Sequence, residues 1–221
     1  MDTLRSRWHA DVTALCSTAP RDAVAAEGTD LLDRWLEDHR AYHDAVHLAE
    51  VLAALDELHE GGDLPERDRH LAGLVAWYHD AVYDAGASPG DNEEASARLA
   101  EERLGAIGLA PDEVAHIAAL IRDSATHEMR STDAVSRAFH DADLWILASP
   151  TERFDAYCHQ VRLEYRQVPA ADFARGRTAV LAPFAARERL YLTDHAHDRW
   201  TARARTNLAR EIDRLSAALP G

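Results

Sequence analysis

A histidine and an aspartate stand side by side at positions 79 and 80, in a stretch that is otherwise mostly apolar. An imidazole and a carboxylate beside a hydrophobic core need hydrogen bonds, a charge partner or a cation, because an unpaired buried charge costs several kcal/mol or more. One divalent metal ion would satisfy both side chains. The alternative is that His79 and Asp80 only cap backbone groups at the end of a helix.

Two further groups of metal-type side chains lie elsewhere in the chain. His43 and His47 are four residues apart, a spacing that places both on one face of a helix. Asp141 and Asp143 follow about sixty residues after the His-Asp pair, inside an apolar segment. One histidine of the first group, the pair and one late aspartate would form a ligand set of two nitrogens and two oxygens. Such a set suits Mn²⁺, Mg²⁺, Fe²⁺, Ni²⁺ or Zn²⁺ and leaves positions for water.

Apolar residues at helical spacing predict that helices carry these groups. The stripe that predicts the helix of the His-Asp pair, in its last turns, consists of Leu71, Leu74, Val75, Tyr78 and Val82. A preceding helix should carry both His43 and His47 and end at Gly61-Gly62. Other helices are predicted over 2–18, up to about His39, from Pro169 onward and over about 196–218.

Three local patterns predict where further helices begin. Asp91, with Glu94 three residues later, matches a capping box. Pro111 suits the first turn of the following helix. The segment Ser149-Pro150-Thr151-Glu152 combines a serine cap, a first-turn proline and a glutamate three residues after the serine.

Composition agrees with one helical domain. The chain has 221 residues, of which 47% are hydrophobic, and it contains only 10 Gly and 8 Pro. Alternating β-branched runs are missing, so we predict an all-α fold. We expect a single domain over 1–221, made of an N-terminal helical flank (1–40), a metal-site core (41–148) and C-terminal helices (149–221).

The charge excludes several functions. A net charge of −15 argues against a nucleic-acid groove or an anionic membrane surface as partner. None of the 24 basic residues is lysine, so Schiff-base chemistry is excluded, and an anion must be held by arginine, histidine, backbone N–H or metal. The first residues lack an apolar signal core and no apolar run approaches a membrane span, so a cytoplasmic location is expected.

In these features the sequence resembles the HD-domain metal-dependent phosphohydrolases. Their signature is a histidine on one helix, an adjacent His-Asp on a following helix and a distant aspartate. Here the first histidine matches His47, which Val51 follows at the family's spacing, and the last ligand matches Asp143 in Ala-Asp-Leu. The resemblance is greatest to a subgroup of predicted HD phosphohydrolases and covers nearly the whole chain. Its matching segments are Tyr42-His43 with His47, Trp77 to Asp80, Asn92-Glu93, His127, Asp141 to Leu144, Arg162 to Tyr165 and Arg205 to Leu208.

The resemblance implies an HD-type helical bundle that holds one divalent ion and hydrolyses a phosphate ester or nucleotide with a metal-activated water. The implied metal ligands are His47, His79, Asp80 and Asp143. The candidate catalytic residues are Asp84, Glu93 and His127, and the candidate substrate-binding residues are His43, Tyr83 and Arg162. The expected partner is a small phosphorylated substrate, and a homo-oligomer is an open alternative.

One position departs from the family pattern. Some HD phosphohydrolases have a glutamate three residues after the aspartate of the pair, where this chain has Tyr83. Asp84 or a glutamate of the next helix would then have to supply the carboxylate. The alternatives are a non-catalytic regulatory protein that binds metal and nucleotide, and a di-iron oxygenase with His127 among its extra ligands.

Two roles are possible for several other side chains. His127 and Asp141 would either orient metal ligands through hydrogen bonds or cap helices, and Arg162 would bind phosphate or form a salt bridge. His70 is expected to be an ordinary surface histidine, together with His9, His39, His59, His116, His195 and His197.

Overall fold

The computed structural model describes residues 1–219, and over these residues the chain forms ten α-helices, one 3-10 helix and no strand. The predicted all-α class is therefore confirmed. The helices are α1 (Asp2–Leu15), α2 (Arg21–Trp35), α3 (Ala45–Glu60), α4 (Glu66–Tyr78), α5 (Asp91–Ile107), α6 (Pro111–Ser124), α7 (Ala134–Asp143), α8 (Thr151–Glu164), α9 (Ala170–Ala186) and α10 (Asp194–Ala217), with the 3-10 helix at Leu144–Ala148. The last two residues of the predicted segment 149–221 lie outside the described residues.

Helix α4 is the centre of the fold. Every residue from Ala72 to Tyr78 is buried, because α1, α3, α6 and α7 pack around this helix. A helix surrounded in this way is apolar on all sides. Gly73 permits the closest approach, since a Cβ at this position would lie 2.7 Å from the carboxylate of Asp11 on α1.

The remaining elements pack around this centre. Helices α3 and α7 contact α4 and each other, and α5 packs against α6. Helix α10 packs against α9 and the 3-10 helix. Along residues 1–219 no helix combines the length and apolar character needed to cross a membrane.

The two histidine segments differ from the prediction at their helix boundaries. Helix α4 ends at Tyr78, so His79 is the C-terminal cap and Asp80 lies in the following turn. His43 precedes α3, because the Asp44 carboxylate caps this helix by accepting from the backbone N–H of residues 46 and 47. His43 and His47 therefore do not share a helical face, and the prediction that one helix carries both is wrong.

The predicted caps of α5 and α8 are also wrong in detail. Gly90, with a φ of 86°, is the N-cap of α5, and no side chain caps this helix. Glu94 instead pairs with Arg122 at 2.6 Å. Pro150 is the N-cap of α8, and the buried hydroxyl of Ser149 has no hydrogen-bond partner.

Helix α2 ends at Trp35 rather than near His39. His70 is buried, contrary to expectation, and its Nδ1 lies 2.8 Å from the carboxylate of Asp11. The packing of α1 onto the first turns of α4 is what buries it. Pro111, in contrast, lies in the first turn of α6 as predicted.

Candidate metal centre

Three of the predicted ligands converge where α3 meets the end of α4. His47 lies in the first turn of α3, His79 caps α4 and Asp80 follows in the turn. One ligand atom from each of the three lies within 4.8 Å of the others. Within residues 1–219, His47, His79 and Asp80 form a group whose geometry suits a metal ion.

The spacing of these atoms matches a common central ion. The Nε2 atoms of His47 and His79 are 3.2 Å apart, and Asp80 Oδ2 lies 3.2 Å from His79 Nε2 and 3.8 Å from His47 Nε2. Two ligands each about 2.1 Å from one ion, at tetrahedral or octahedral angles, are about 3.0–3.4 Å apart. Two of the three separations fall in this range, and the third, between Asp80 Oδ2 and His47 Nε2, is 0.4 Å longer than its upper end.

The carboxylates of Asp141 and Asp143 contact different parts of the protein. Asp143, the last residue of α7, has Oδ1 3.3 Å from His47 Nε2 and 3.4 Å from His79 Nε2. The carboxylate of Asp141 accepts hydrogen bonds from the backbone N–H groups of Leu192 and Thr193, at distances of 2.7–3.0 Å. Asp141 thus holds the segment that leads into α10, whereas Asp143 faces the two histidines.

The protonation pattern of the histidines favours a cation between them. His79 Nδ1 lies 2.8 Å from the carbonyl of Ala76, and as the donor in this bond it leaves Nε2 with a free lone pair. A second Nε2 only 3.2 Å away must then be separated from it by a proton or a metal ion. Either a proton on one of the two Nε2 atoms or a metal ion between them would satisfy this contact.

The pKa values of His79, Asp80 and Asp143 also favour a proton or a cation at this position. Burial acts to lower the pKa of His79, but the charges of Asp80 and Asp143 raise this pKa well above its usual value. Burial likewise acts to raise the pKa of both aspartates, yet His79 holds their pKa values below the usual range. A proton and a divalent ion would thus compete for the same position.

Arg40 ties together the two backbone segments that carry the site. Its Nη1 donates to the carbonyls of His43 at 3.0 Å and Asp80 at 2.7 Å, and its Nη2 donates to the carbonyl of Ala81 at 3.2 Å. The turn after α4 is therefore fixed against the loop before α3. The sequence analysis missed this residue, because its bonds to the carbonyls of Asp80 and Ala81 span about forty residues and leave no local pattern.

Glu164 is a second residue that the sequence analysis missed. Its Oε1 accepts from the backbone N–H groups of Ala41, Tyr42 and His43 at 2.8, 2.8 and 3.0 Å. Its Oε2 lies 2.8 Å from both His43 Nδ1 and the hydroxyl of Tyr83. Burial acts to raise the pKa of Glu164, but the His43 contact and the N–H groups lower it to about 2.

A cavity of about 460 Å³ opens over the metal centre. Its polar residues beyond the four ligand candidates include His43, Glu93 and His127. Helix α9 and the 3-10 helix supply an apolar wall. The wall residues include Leu144, Ile146, Leu147, Val180, Leu181, Pro183 and Phe184, and Arg177 and Arg187 also line the cavity.

Of the three predicted catalytic residues, two line this cavity. Burial and the charge of Asp80 raise the pKa of Glu93. The buried Nδ1 of His127 has no hydrogen-bond partner and lies 3.9 Å from Asp143 Oδ2, and burial lowers the pKa of this histidine to about 4. Asp84 is exposed outside the cavity and accepts a hydrogen bond from the N–H of Gly86.

Of the three predicted substrate-binding residues, only His43 lines the cavity. The ring of Tyr83 stacks on His43 with centroids 4.3 Å apart, and its hydroxyl donates a hydrogen bond to Glu164. Arg162 donates to the carbonyls of Tyr165 and Val168 beyond the end of α8. The arginines at the cavity are instead Arg177 and Arg187, which the sequence analysis did not single out.

The described chain is thus an all-helical protein in which His47, His79 and Asp80 form a possible metal-ion site at the base of a cavity. Asp143 adds a second carboxylate at 3.3–3.4 Å from both histidines. Comparison of the sequence with protein-family models and with curated proteins finds no match.

Proposed function

We propose that this protein is a metal-dependent phosphohydrolase of the HD type, which acts on a phosphate ester or nucleotide. The ion would be held by His47, His79, Asp80 and Asp143. The observation that supports this proposal most is the convergence of two imidazole nitrogens and two carboxylates at the base of a cavity of about 460 Å³. That volume lies within the range of small-molecule sites.

The metal ligands and Glu93 would have different roles in the proposed reaction. A bound divalent ion supplies positive charge and lowers the pKa of a coordinated water from about 15.7 to about 7. His79 is held by its bond to Ala76, so its Nε2 is oriented before any ion binds. Glu93 presents a carboxyl group whose raised pKa suits it to take up or give a proton at the cavity surface.

Two histidines complete the polar surface of the cavity. His43 is oriented by Glu164 through Nδ1, which leaves Nε2 to contact a phosphoryl oxygen. His127 is a neutral imidazole at pH 7, because burial lowers its pKa to about 4, and its Nδ1 has no partner in the protein. Both side chains can therefore bind ligand oxygens without displacing an existing bond.

Phosphate release tests the proposal. Protein stripped with chelator and reloaded separately with Mn²⁺, Mg²⁺, Fe²⁺, Ni²⁺ or Zn²⁺ should hydrolyse at least one member of a panel of phosphomonoesters and nucleotides. Asp80→Ala should lower the rate by about 1,000-fold or more, because it removes the charge that retains the ion. Asp38→Ala, which removes an exposed carboxylate outside the cavity, should not change the rate.

Other results would contradict the proposal in distinguishable ways. Stoichiometric metal binding without phosphate release from any ester would indicate a non-catalytic binding protein. Two irons per chain with an oxygen-dependent product would indicate an oxygenase.

A further inference from the structure

Helix α9 turns one face toward the cavity, and this face carries arginine as well as apolar residues. Arg177, Val180, Leu181 and Phe184 all line the cavity at spacings of three and four residues, as one face of a helix requires. Arg187, directly after the helix, lines it as well. The two arginines are ten positions apart in the chain, which corresponds to about 15 Å along a helix axis, so they stand at opposite ends of the wall.

Arg177 is positioned by a stack of aromatic rings that leads to the metal centre. Its Nη2 donates to the hydroxyl of Tyr157, and its guanidinium lies 5.0 Å from the centre of the same ring. Tyr157 packs on Tyr42 with ring centres 4.5 Å apart, and Tyr42 packs on His47 at 4.7 Å. Arg177 therefore approaches the centre from the side of His47.

Arg187 is connected to the site through a different set of side chains. Its Nη1 lies 3.2 Å from His140 Nε2, while His140 Nδ1 contacts the carboxylate of Asp141. The ring of His140 is 6.0 Å from that of His127, which in turn neighbours Asp143. The two arginines thus line the cavity of the candidate metal centre and are held by different neighbours.

Neither arginine has a carboxylate partner, although acids outnumber bases by 39 to 24 in this chain. No ion pair within residues 1–219 includes Arg177 or Arg187. Some nearby arginines do form ion pairs: Arg153 spans both oxygens of Glu50 at 2.5 and 2.7 Å, and Arg175 pairs with Asp172 at 2.6 Å. Arg162 and Arg205 form none, but they donate to two and three backbone carbonyls and do not line the cavity.

Most hydrogen-bonding capacity of the two side chains is unused. A guanidinium has five N–H donors in a planar fork, and each of these two side chains uses one of them within the described protein. The acids that also line the cavity, Glu93 and the exposed Glu128, lie beyond ion-pair distance of both arginines. A phosphate group, with several acceptor oxygens, matches the unused donors.

We propose that Arg177 and Arg187 clamp the phosphate group of the ligand from two sides, and that the ligand class is a dianionic phosphomonoester rather than a phosphodiester. The charge balance supports the choice, since Asp80 and Asp143 would offset a divalent ion and the two guanidinium groups would then face the dianion. The apolar wall of Val180, Leu181 and Phe184 would cover the organic part. This inference rests on the proposed function only for the position of the ion.

Two matched probes test the clamp without hydrolysis. Phenylphosphonate is a dianion above its second pKa, and its monomethyl ester is a monoanion with the same aromatic body. Binding of each to metal-loaded protein at pH 8.5 is measured by calorimetry, for wild type, Arg177→Gln, Arg187→Gln and the control Arg175→Gln. Metal content and thermal melts verify that each variant is folded and loaded, and Arg177→Lys and Arg187→Lys keep the charge if a glutamine variant does not fold.

We expect wild type and Arg175→Gln to bind the dianion at least about 10-fold more tightly than the monoanion. Each cavity variant should lose about 10- to 100-fold in dianion affinity and most of the preference, as expected for the loss of a charged hydrogen bond. Equal binding of the two probes to wild type, or an effect confined to one arginine, would overturn the clamp. Dianion binding through both arginines in a protein that releases no phosphate would refute the proposed function and leave this inference standing.

Discussion

A buried histidine lies near each end of helix α4, and each contacts at least one carboxylate. The two clusters differ in the other side chains that surround the histidine. At the N-terminal end, His70 Nδ1 lies 2.8 Å from Asp11 Oδ1, and Arg7 Nε lies 2.9 Å from both oxygens of Asp11. At the C-terminal end, His79 Nε2 faces His47 Nε2 and two carboxylates. Both clusters are largely buried, but they border different cavities: the second lies at the cavity of about 460 Å³ described above, whereas Arg7 of the first lines a separate cavity.

The difference lies in how the carboxylates are satisfied. Arg7 pairs with Asp11 at 2.9 Å, so the carboxylate of the N-terminal cluster has a cationic partner within the protein. Asp80 and Asp143 form no ion pair with an arginine among residues 1–219, and the histidine nitrogens near them face one another. A buried His-Asp contact is therefore not by itself a metal signal. Convergent acceptors without an internal cation, beside an open cavity, are the informative feature.

The largest predicted effect concerns the N-terminal cluster. Asp11→Ala should lower the free energy of unfolding by about 3–5 kcal/mol, because it leaves His70 buried without its acidic partner and Arg7 with only the outer carboxylate of Asp56. The loss should be the same in chelator and in excess Mn²⁺, as measured by urea unfolding. Asp56→Ala removes the outer, largely exposed partner of Arg7 and should cost about 1 kcal/mol or less.

A metal response that disappears in Asp11→Ala, while the fold is retained, would contradict this comparison. It would mean that the two ends of α4 are not independent.

The next effect concerns Glu164, which links the loop before α3 to α8. Its pKa is about 2 in the folded protein against an ordinary value of 4.5, so it stabilises the fold above about pH 4.5 and this stabilisation is lost as the pH falls toward 2. The shift corresponds to about 3 kcal/mol. The amide of Glu164→Gln cannot accept hydrogen bonds from both His43 and Tyr83. This variant should therefore lose about 3 kcal/mol of unfolding free energy at pH 7.

Urea unfolding of wild type and Glu164→Gln at pH 7 and pH 3.5 tests this prediction. The difference in the free energy of unfolding between the two proteins should be smaller at pH 3.5 than at pH 7. Glu152→Gln, an exposed substitution on the same helix, should cost under about 1 kcal/mol at both. A gap that stays constant with pH would show that Glu164 is not held as a carboxylate.

The smallest effect on stability separates Asp141 from Asp143. Asp141→Asn should cost about 2 kcal/mol, since it weakens the charged anchor of residues 192 and 193, but the protein should still bind Mn²⁺. Asp143→Asn should keep its metal-free stability and lose metal affinity. Calorimetric titration with Mn²⁺ and urea unfolding measure both quantities, and the opposite pattern would reverse the ligand assignment.

The sequence predicted the features that depend on local pattern and on the motif. An all-α fold followed from apolar spacing, and polar residues that interrupt apolar segments indicated that one histidine of the His43/His47 group would meet His79 and Asp80. The choice of His47 followed from the family resemblance, and this residue does lie with His79 and Asp80. Helix ends were less predictable, because local cap patterns compete. Asp44 satisfies the start of α3 and so excludes His43 from that helix.

The residues that organise the cavity could not be predicted in this way. Glu164 reaches residues 41–43 across more than 120 positions of the chain, and such a contact leaves no periodic trace. Arg177 and Arg187 lie on or next to a helix whose apolar spacing indicates only a core face. Their lack of carboxylate partners is a property of the three-dimensional structure alone.

Metal-linked stability tests the central claim most directly. Thermal melts of wild type and Asp80→Ala are compared in chelator and in excess Mn²⁺. Wild type should gain about 2.7 kcal/mol at a metal concentration 100-fold above its Kd, because the ion binds only the folded state. Asp80→Ala should gain nothing from Mn²⁺. If Asp80→Ala gains as much from Mn²⁺ as wild type does, the His47-His79-Asp80 group is not the metal site.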